Sequence, residues 1–117
     1  MSISRGEIYF VELSPVLGRE IDKKRRPVLV LSINDLNSKP LVVTVVPGTK
    51  AAHKAVHFKN VVVVPATATN GLSEATIFQC HQIRALDHCR FISPPCGTLA
   101  PEHLNLVESA VRYSLGL

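Results

Sequence analysis

A cationic residue and a hydroxyl residue lie at the ends of two neighbouring apolar segments. Arg26 directly precedes the apolar run 27–31, and Thr49 follows the next apolar run, 41–46. If these runs pair as antiparallel strands, the first residue of one lies opposite the last residue of the other. Arg26 and Thr49 then meet at one edge of the sheet. A guanidinium beside a hydroxyl can bind phosphate oxygens, so the pair predicts a phosphodiester site.

The residues before Arg26 form a glycine-led basic loop. Residues 14–25 show neither helical nor strand periodicity, and a loop of that length in a small domain is often functional. The cations of this loop outnumber the acidic residues Glu20 and Asp22. On local chemistry alone, a basic surface loop between two core strands is the better interpretation. The candidate phosphate-binding residues of the loop are Gly18, Arg19, Lys23, Lys24 and Arg25.

The composition sets limits on the class of protein. With 117 residues, 46% of them hydrophobic and 19% charged, the chain is expected to form one globular domain over residues 1–117. A net charge of +4 favours an anionic partner such as nucleic acid or an acidic peptide. Three cysteines without a scaffold spacing suit a reducing compartment. The start of the chain lacks the apolar core of a signal peptide, so we expect a cytoplasmic protein.

The apolar patterning predicts about six short strands and one long helix. A turn or a single helical turn is expected at 34–38, and Asn70-Gly71 marks a tight turn. Apolar residues recur at helical spacing from Pro101 to Leu115, with Gly116 suited to a helix end. The fold class is therefore mainly β (α+β), a small barrel or strongly bent antiparallel sheet with a C-terminal helix. The expected strands are 7–13, 27–31, 41–46, one stretch over 53–64 that is broken at 59–60 into 53–58 and 61–64, 74–84 and 91–92.

Other common catalytic arrangements are not apparent in the sequence. The five histidines have no spacing typical of a catalytic pair, and the chain has no C-x-x-C spacing that would predict zinc. Cys80 and His81 are neighbours in an expected strand, so they should point to opposite faces. The chain has no glycine-rich phosphate loop and no nucleophile elbow. With no tryptophan, it offers little material for stacking bases.

RNA would suit the Arg26 and Thr49 pair as a substrate. RNA supplies its own nucleophile, the 2′-hydroxyl, so an enzyme has to orient it, move protons and neutralise charge on phosphorus. Arginine stays charged and meets phosphate oxygens with a planar fork. Its high pKa makes it a poor proton carrier, and charge stabilisation is the role that physics assigns to it. Such a site needs neither a metal nor another cofactor.

Four segments in register resemble the MazF/PemK toxin family. They are R-G-E-I-Y-F-V-E-L at 5–13, G-R-E to R-R-P-V-L-V-L-S at 18–32, V-V-P-G-T at 45–49, and N-G-L followed by Q-I-R-A-L-D at 70–87. The resemblance implies an SH3-like β-barrel and a homodimer, the toxin of a type II toxin–antitoxin pair. It further implies a metal-independent ribonuclease that cuts single-stranded RNA, often mRNA, leaving 2′,3′-cyclic phosphate and 5′-hydroxyl ends. The antitoxin would cover the toxin with an extended acidic and apolar tail.

The resemblance also assigns roles to individual residues. Arg26 would be the acid–base and charge-stabilising group, and Thr49 would hold the transition state. Glu20 would organise the first loop, and Gln82 would lie near the dimer interface; with Arg84 of the same motif they join the expected substrate-binding set. The chain departs from the family pattern at His81, which replaces a frequent acidic residue, and in the dense cationic run at 23–26.

Two alternatives from other functional classes are also compatible with the sequence. The related CcdB toxins bind DNA gyrase without cleaving RNA, and such a toxin would be expected to depend on its terminal helix. A non-catalytic RNA-binding SH3-like module is the other alternative, although the low aromatic content disfavours it. Loss of cleavage on replacing Arg26 would separate the nuclease from both.

Overall fold

The computed structural model describes residues 2–13, 25–39, 41–51 and 59–117. Within these ranges the elements follow the chain as seven strands and two helices, joined in places by 3₁₀ turns. No helix in this part of the chain is both long enough and apolar enough to cross a membrane. The elements are β1 (Glu7–Val11), β2 (Arg26–Val30), α1 (Asn34–Asn37), β3 (Val42–Lys50), β4 (Val61–Val64), β5 (Thr76–Gln79), β6 (Arg84–Asp87), β7 (Gly97–Thr98) and α2 (Pro101–Leu115).

The strands form one curled antiparallel sheet with the order β4-β5-β3-β2-β1-β7, and β6 also pairs with β3. The centre of this sheet is β3, which pairs with β2 along one edge and with β5 and β6 along the other. A bent antiparallel sheet with a terminal helix was the expected fold class, and the structure confirms it. The expected strand 53–58 lies outside the described residues.

Each face of the sheet carries its own apolar core, because successive side chains of a strand point to opposite faces. We call the cluster against α2 the helix-side core; it includes Leu29, Val46, Phe78 and Val107. The cluster on the opposite face is the site-side core. Its members are Ile3, Tyr9, Val11, Val28, Val30, Val43, Val45, Leu86 and Phe91. Strand β2 is buried on both faces, since Val28, Leu29 and Val30 are all fully buried.

Strand β3 continues to Lys50, so the predicted strand end at residue 46 is wrong. Pro47 remains in the ladder opposite Val28. Gly48 has a packing role here, because a Cβ at this position would lie 2.7 Å from Thr76 Cγ2 and 3.2 Å from the Phe78 ring. The extension places Thr49 inside a paired strand rather than after its end.

The predicted single strand 74–84 is also wrong, because a 3₁₀ turn at Cys80–Gln82 divides it into β5 and β6. Gly48 pairs with Phe78, and Val45 pairs with Arg84. A step of three residues along β3, from Gly48 to Val45, therefore corresponds to a step of six residues along the partner segment, from Phe78 to Arg84. The 3₁₀ turn accommodates the three extra residues. The turn falls opposite Pro47, which has no N–H to donate to a ladder.

Three further differences concern the ends and connections of elements. β1 ends at Val11 rather than residue 13, and the short strand β7 was not predicted. The strand predicted at 91–92 is wrong, because a 3₁₀ turn at His88–Arg90 precedes Phe91, whose ring is buried in the site-side core.

Helix α2 has the predicted limits, since its ends carry strong local signals. Pro101 occupies the first turn, where its missing N–H is not needed. Gly116 has a φ of 72°, a left-handed conformation that glycine adopts without strain. Its position lets Leu117 N–H donate to Arg112 O at 2.9 Å and close the last turn.

Candidate functional site

Arg26 and Thr49 lie side by side on the site-side face of the sheet. The pairing of Val28 with Pro47 sets the register of β2 and β3, which brings the start of β2 beside the end of β3. Arg26 Nη1 donates a hydrogen bond to Thr49 Oγ1 at 3.3 Å, and both side chains are partly buried. The expected proximity of the pair is confirmed. Their catalytic role stays a prediction.

The backbone on either side of the pair is fixed by the sheet. Arg26 pairs with Val11 of β1, and Thr49 pairs with Ile77 of β5, so both residues sit in strands held by neighbours. A hydroxyl that accepts a hydrogen bond keeps its own O–H for another acceptor. Arginine and threonine can therefore present a positive charge and a neutral donor to the same phosphate group.

Two contacts near this pair were not anticipated from sequence. Arg25 Nη2 donates to Ser93 Oγ. Arg90 Nη1 donates to the backbone carbonyl of Glu12 at 2.8 Å, directly after the residue that pairs with Arg26. Nothing in the sequence indicates that Arg90 lies near the site. It belongs to a 3₁₀ turn that is far along the chain from the basic loop and from the Arg26–Thr49 pair.

The other predicted substrate-binding residues are divided between two locations. Arg84 is exposed on β6 and pairs with Val45, four positions before Thr49, or about 13 Å along the strand. Gln82 is exposed in the 3₁₀ turn that packs near α2. Neither is brought to the Arg26–Thr49 pair by the strand register. The remaining predicted residues, Gly18, Arg19, Glu20, Lys23 and Lys24, lie outside the described residues.

The cysteines and His81 do not form a metal site in the described part of the chain, where no group of three ligand-type residues converges. The prediction that Cys80 and His81 alternate across a strand is wrong, because both lie in a 3₁₀ turn. His81 Nδ1 lies 2.7 Å from Asn60 Nδ2.

The thiols are poorly suited to act as nucleophiles. Burial raises the pKa of the Cys80 thiol to about 11. A hydrogen bond with Asp87 raises the pKa of the exposed Cys89 thiol, and burial raises that of Cys96. In the same turn, the Cys89 N–H donates to Asp87 Oδ1 at 2.9 Å and lowers the pKa of that carboxyl. Because thiolates rather than thiols react, these shifts point away from cysteine chemistry.

Solved structures share the curled antiparallel sheet and C-terminal helix over nearly the whole chain. MazF from Deinococcus radiodurans, a crystal structure (Form-I), superimposes with a TM-score of 0.78 at 23% identity, over 100% of this chain and 99% of the other. An endoribonuclease from a mycobacterial species, solved in complex with its cognate antitoxin, gives a TM-score of 0.76 at 20% identity, over 98% and 96%. At these identities the likeness concerns the fold.

The sequence comparison identifies the family. Residues 4–115 match the model of the PemK-like, MazF-like toxins of type II toxin–antitoxin systems, and the chain belongs to this family. It is 30% identical over 117 residues to endoribonuclease EndoA of Bacillus subtilis, covering 100% of this chain and 97% of EndoA. It is 33% identical over 118 residues to endoribonuclease MazF9 of Mycobacterium tuberculosis, covering 97% and 96%. The resemblance inferred from the four sequence segments is confirmed.

Proposed function

We propose that this chain is the toxin of a type II toxin–antitoxin pair and a metal-independent endoribonuclease that cuts single-stranded RNA, including mRNA, at a sequence motif. The hydrogen-bonded pair of Arg26 and Thr49 is the observation that carries the proposal. The endoribonuclease names of two full-length relatives, EndoA and MazF9, support the same activity.

The proposed reaction is an internal transfer of the phosphodiester. The 2′-oxygen of the RNA attacks phosphorus as its hydroxyl proton is lost, and the bond from phosphorus to the 5′-oxygen breaks. The leaving 5′-oxygen takes up a proton, so the products are a 2′,3′-cyclic phosphate and a 5′-hydroxyl. No water, oxidant or second substrate is consumed in this step.

Each member of the pair has a defined task in this reaction. The guanidinium of Arg26 neutralises charge that grows on the phosphate oxygens and donates to the leaving 5′-oxygen, a contact that also suits the acid–base role inferred from the family. The hydroxyl of Thr49 donates to a non-bridging oxygen and holds the transition state. Because the sheet fixes both backbones, little reorganisation accompanies the reaction.

We also propose partners for the chain. Solved relatives include MazE–MazF from Deinococcus radiodurans and a mycobacterial endoribonuclease with its cognate antitoxin, which supports an antitoxin partner. The basic loop suits an acidic and apolar antitoxin tail, since opposite charge guides association. By family likeness the chain acts as a homodimeric, single-domain toxin in the cytoplasm, with Gln82 near the dimer interface.

The decisive experiment incubates the purified, antitoxin-free protein with a long unstructured RNA in EDTA and maps the cut ends. Wild type is compared with Arg26→Ala and with Arg112→Ala, an equal loss of charge on the exposed side of α2. We expect discrete cuts with 5′-hydroxyl ends from wild type and Arg112→Ala. Arg26→Ala should cut at least about 100-fold more slowly, because a charged transition-state donor is lost.

Two results would contradict the proposal. Uncut RNA from a folded, dimeric wild type would favour a toxin that binds a protein target, as the CcdB alternative requires. Unchanged cutting by a folded Arg26→Ala variant would place the active site elsewhere. Circular dichroism and thermal melting of each variant show whether it is folded.

A further inference from the structure

A short segment, residues 88–93, covers the site-side core and fixes two polar side chains at the edge of the site. Phe91 anchors the segment, since its ring packs edge-on against Tyr9 with centroids 5.1 Å apart and planes at 89°. Phe91 and Tyr9 are both buried. Arg90 and Ser93 flank this anchor, so their positions are set by core packing.

From this segment, Arg90 reaches the edge where Arg26 lies. Arg90 Nη1 donates to Glu12 O at 2.8 Å, and Glu12 follows Val11, the direct partner of Arg26 across β1 and β2. Directly opposed residues of antiparallel strands lie about 5 Å apart at Cα. The guanidinium of Arg90 is thus held beside the end of β1 that lies next to Arg26.

Ser93 contributes a second contact at the same edge. Its hydroxyl accepts from Nη2 of Arg25, the residue that precedes Arg26. The side chain of Arg25 is thereby tied to the 88–93 segment, although the residue is exposed to solvent. Arg25, Arg26 and Arg90 consequently all make contacts at one end of the sheet.

The hydrogen bonds described for Arg25 and Arg90 are made with neutral groups. Arg90 donates to a neutral carbonyl and Arg25 to a neutral hydroxyl in the contacts described, so these bonds orient the guanidiniums without cancelling their charge. Elsewhere Arg5 is paired with Glu108, and Lys50 lies 3.5 Å from Glu74. Within residues 11–13, 25–26 and 87–93, three guanidiniums stand against the two carboxylates of Glu12 and Asp87, and Asp87 interacts electrostatically with Arg90.

We propose that Arg90, together with Arg25 and Ser93, forms a second phosphate subsite, which binds an RNA backbone phosphate flanking the one cleaved at Arg26 and Thr49. This inference rests on the proposed ribonuclease function and extends it. Single-stranded RNA carries a negative phosphate at every nucleotide, and arginine can bind two phosphate oxygens at once. Contacts of this kind position the strand and are independent of base identity.

A purely structural role for Arg90 makes different predictions. As an anchor for the end of β1, Arg90 would affect stability and the placement of the first loop, with no dependence on any flanking phosphate. As a phosphate ligand, it would release a counterion on binding and alter the salt dependence of RNA affinity. The salt dependence and the phosphate dependence therefore separate the two roles.

The first test measures RNA binding without cleavage. An oligonucleotide spanning the mapped cut site, with 2′-deoxyribose at the cut nucleotide, is titrated against wild type, Arg90→Ala, Arg90→Lys and Arg112→Ala at several salt concentrations. We expect Arg90→Ala to bind about tenfold more weakly, the size of one charged hydrogen bond. The slope of log affinity against log salt should fall by about 0.7. Arg90→Lys should recover part of both, and Arg112→Ala should match wild type.

The second test replaces one flanking phosphate at a time with an uncharged methylphosphonate. Wild type should lose affinity at one flanking position, and Arg90→Ala should show no further loss there. On cleavable RNA, the same variant should raise KM while kcat stays within about twofold, because flanking contacts are made equally in the ground and transition states.

Several outcomes would overturn the subsite. An Arg90→Ala variant with an unchanged salt slope and an unchanged methylphosphonate profile would leave Arg90 as a structural anchor. If the alanine variant fails to fold, the scan on wild type still decides, since sensitivity limited to the cleaved phosphate contradicts a second site. Failure of the ribonuclease proposal itself is distinct, because wild type would then cut no RNA.

Discussion

The two faces of the sheet use the same strands for different purposes. On the helix-side face, the strands bury side chains such as Leu29 and Phe78 against α2. On the opposite face, the apolar core gives way at one end to the hydrogen-bonded pair of Arg26 and Thr49. Because neighbouring residues of a strand alternate between the faces, one backbone both anchors the fold and positions the site. Stability and chemistry should therefore be separable by mutation.

The largest effect should come from the helix-side core. Phe78→Ala removes a fully buried ring that packs on Gly48, and the free energy of unfolding should fall by about 3–5 kcal/mol. Urea denaturation measures this loss. Val63→Ala, at a residue 40% exposed on the neighbouring strand β4, should cost less than about 1 kcal/mol.

The cleavage rate of Phe78→Ala tests whether the helix-side core affects the site. After correction for the unfolded fraction, this rate should stay within about threefold of wild type, because the mutation lies away from the reacting groups. A much larger loss from fully folded protein would show that the two faces are coupled.

The next effect should come from the site-side face, where Thr49→Val keeps the shape of the side chain and removes its hydroxyl. The single-turnover cleavage rate should fall about 10- to 100-fold, because the proposed donor to the transition state is lost. Thr44→Val is the matched control, since it makes the same change on the same strand but on the other face. Equal rates for the two variants would remove Thr49 from the reaction.

The smallest effect concerns the pH dependence of stability. Burial raises the pKa of the Tyr9 phenol, and its hydrogen bond and charge interaction with Glu7 add to the rise. The folded state thus favours the neutral phenol, and this contribution is complete below pH 10, the ordinary pKa. It is lost as the pH rises above that value, because the unfolded chain releases its proton first.

Replacing Tyr9 with phenylalanine tests this dependence. The unfolding free energy of Tyr9→Phe should decline less between about pH 10 and 11.5 than that of wild type. Tyr113→Phe, at an exposed position on α2, is the control. Equal slopes for wild type and Tyr9→Phe would show that the buried phenol is not responsible.

Local signals and strand pairing made parts of the structure predictable. The limits of α2 follow from a proline, a periodic apolar face and a terminal glycine, all read within a few residues. The meeting of Arg26 and Thr49 follows from antiparallel pairing of consecutive strands, which needs no detailed side-chain geometry.

Features that depend on distant segments were not predictable in the same way. The break at Cys80–Gln82 comes from a register shift against β3, and alternation within 74–84 does not reveal it. The contact from Arg90 to Glu12 spans 78 residues and depends on how Phe91 packs. Tertiary packing, rather than local propensity, determines both features.

The double pairing of β3 has a consequence for how such a toxin can be controlled. Thr49 belongs to a strand held by β2 on one edge and by β5 and β6 on the other, and Arg26 belongs to a strand held between β1 and β3. Separating the strands that carry these two residues requires breaking these pairings, so amides of central β3 should be among the slowest to exchange hydrogen. Melting the site locally is therefore a costly way to silence it. A regulator that masks the surface leaves the sheet intact, and activity can return as soon as the mask is removed.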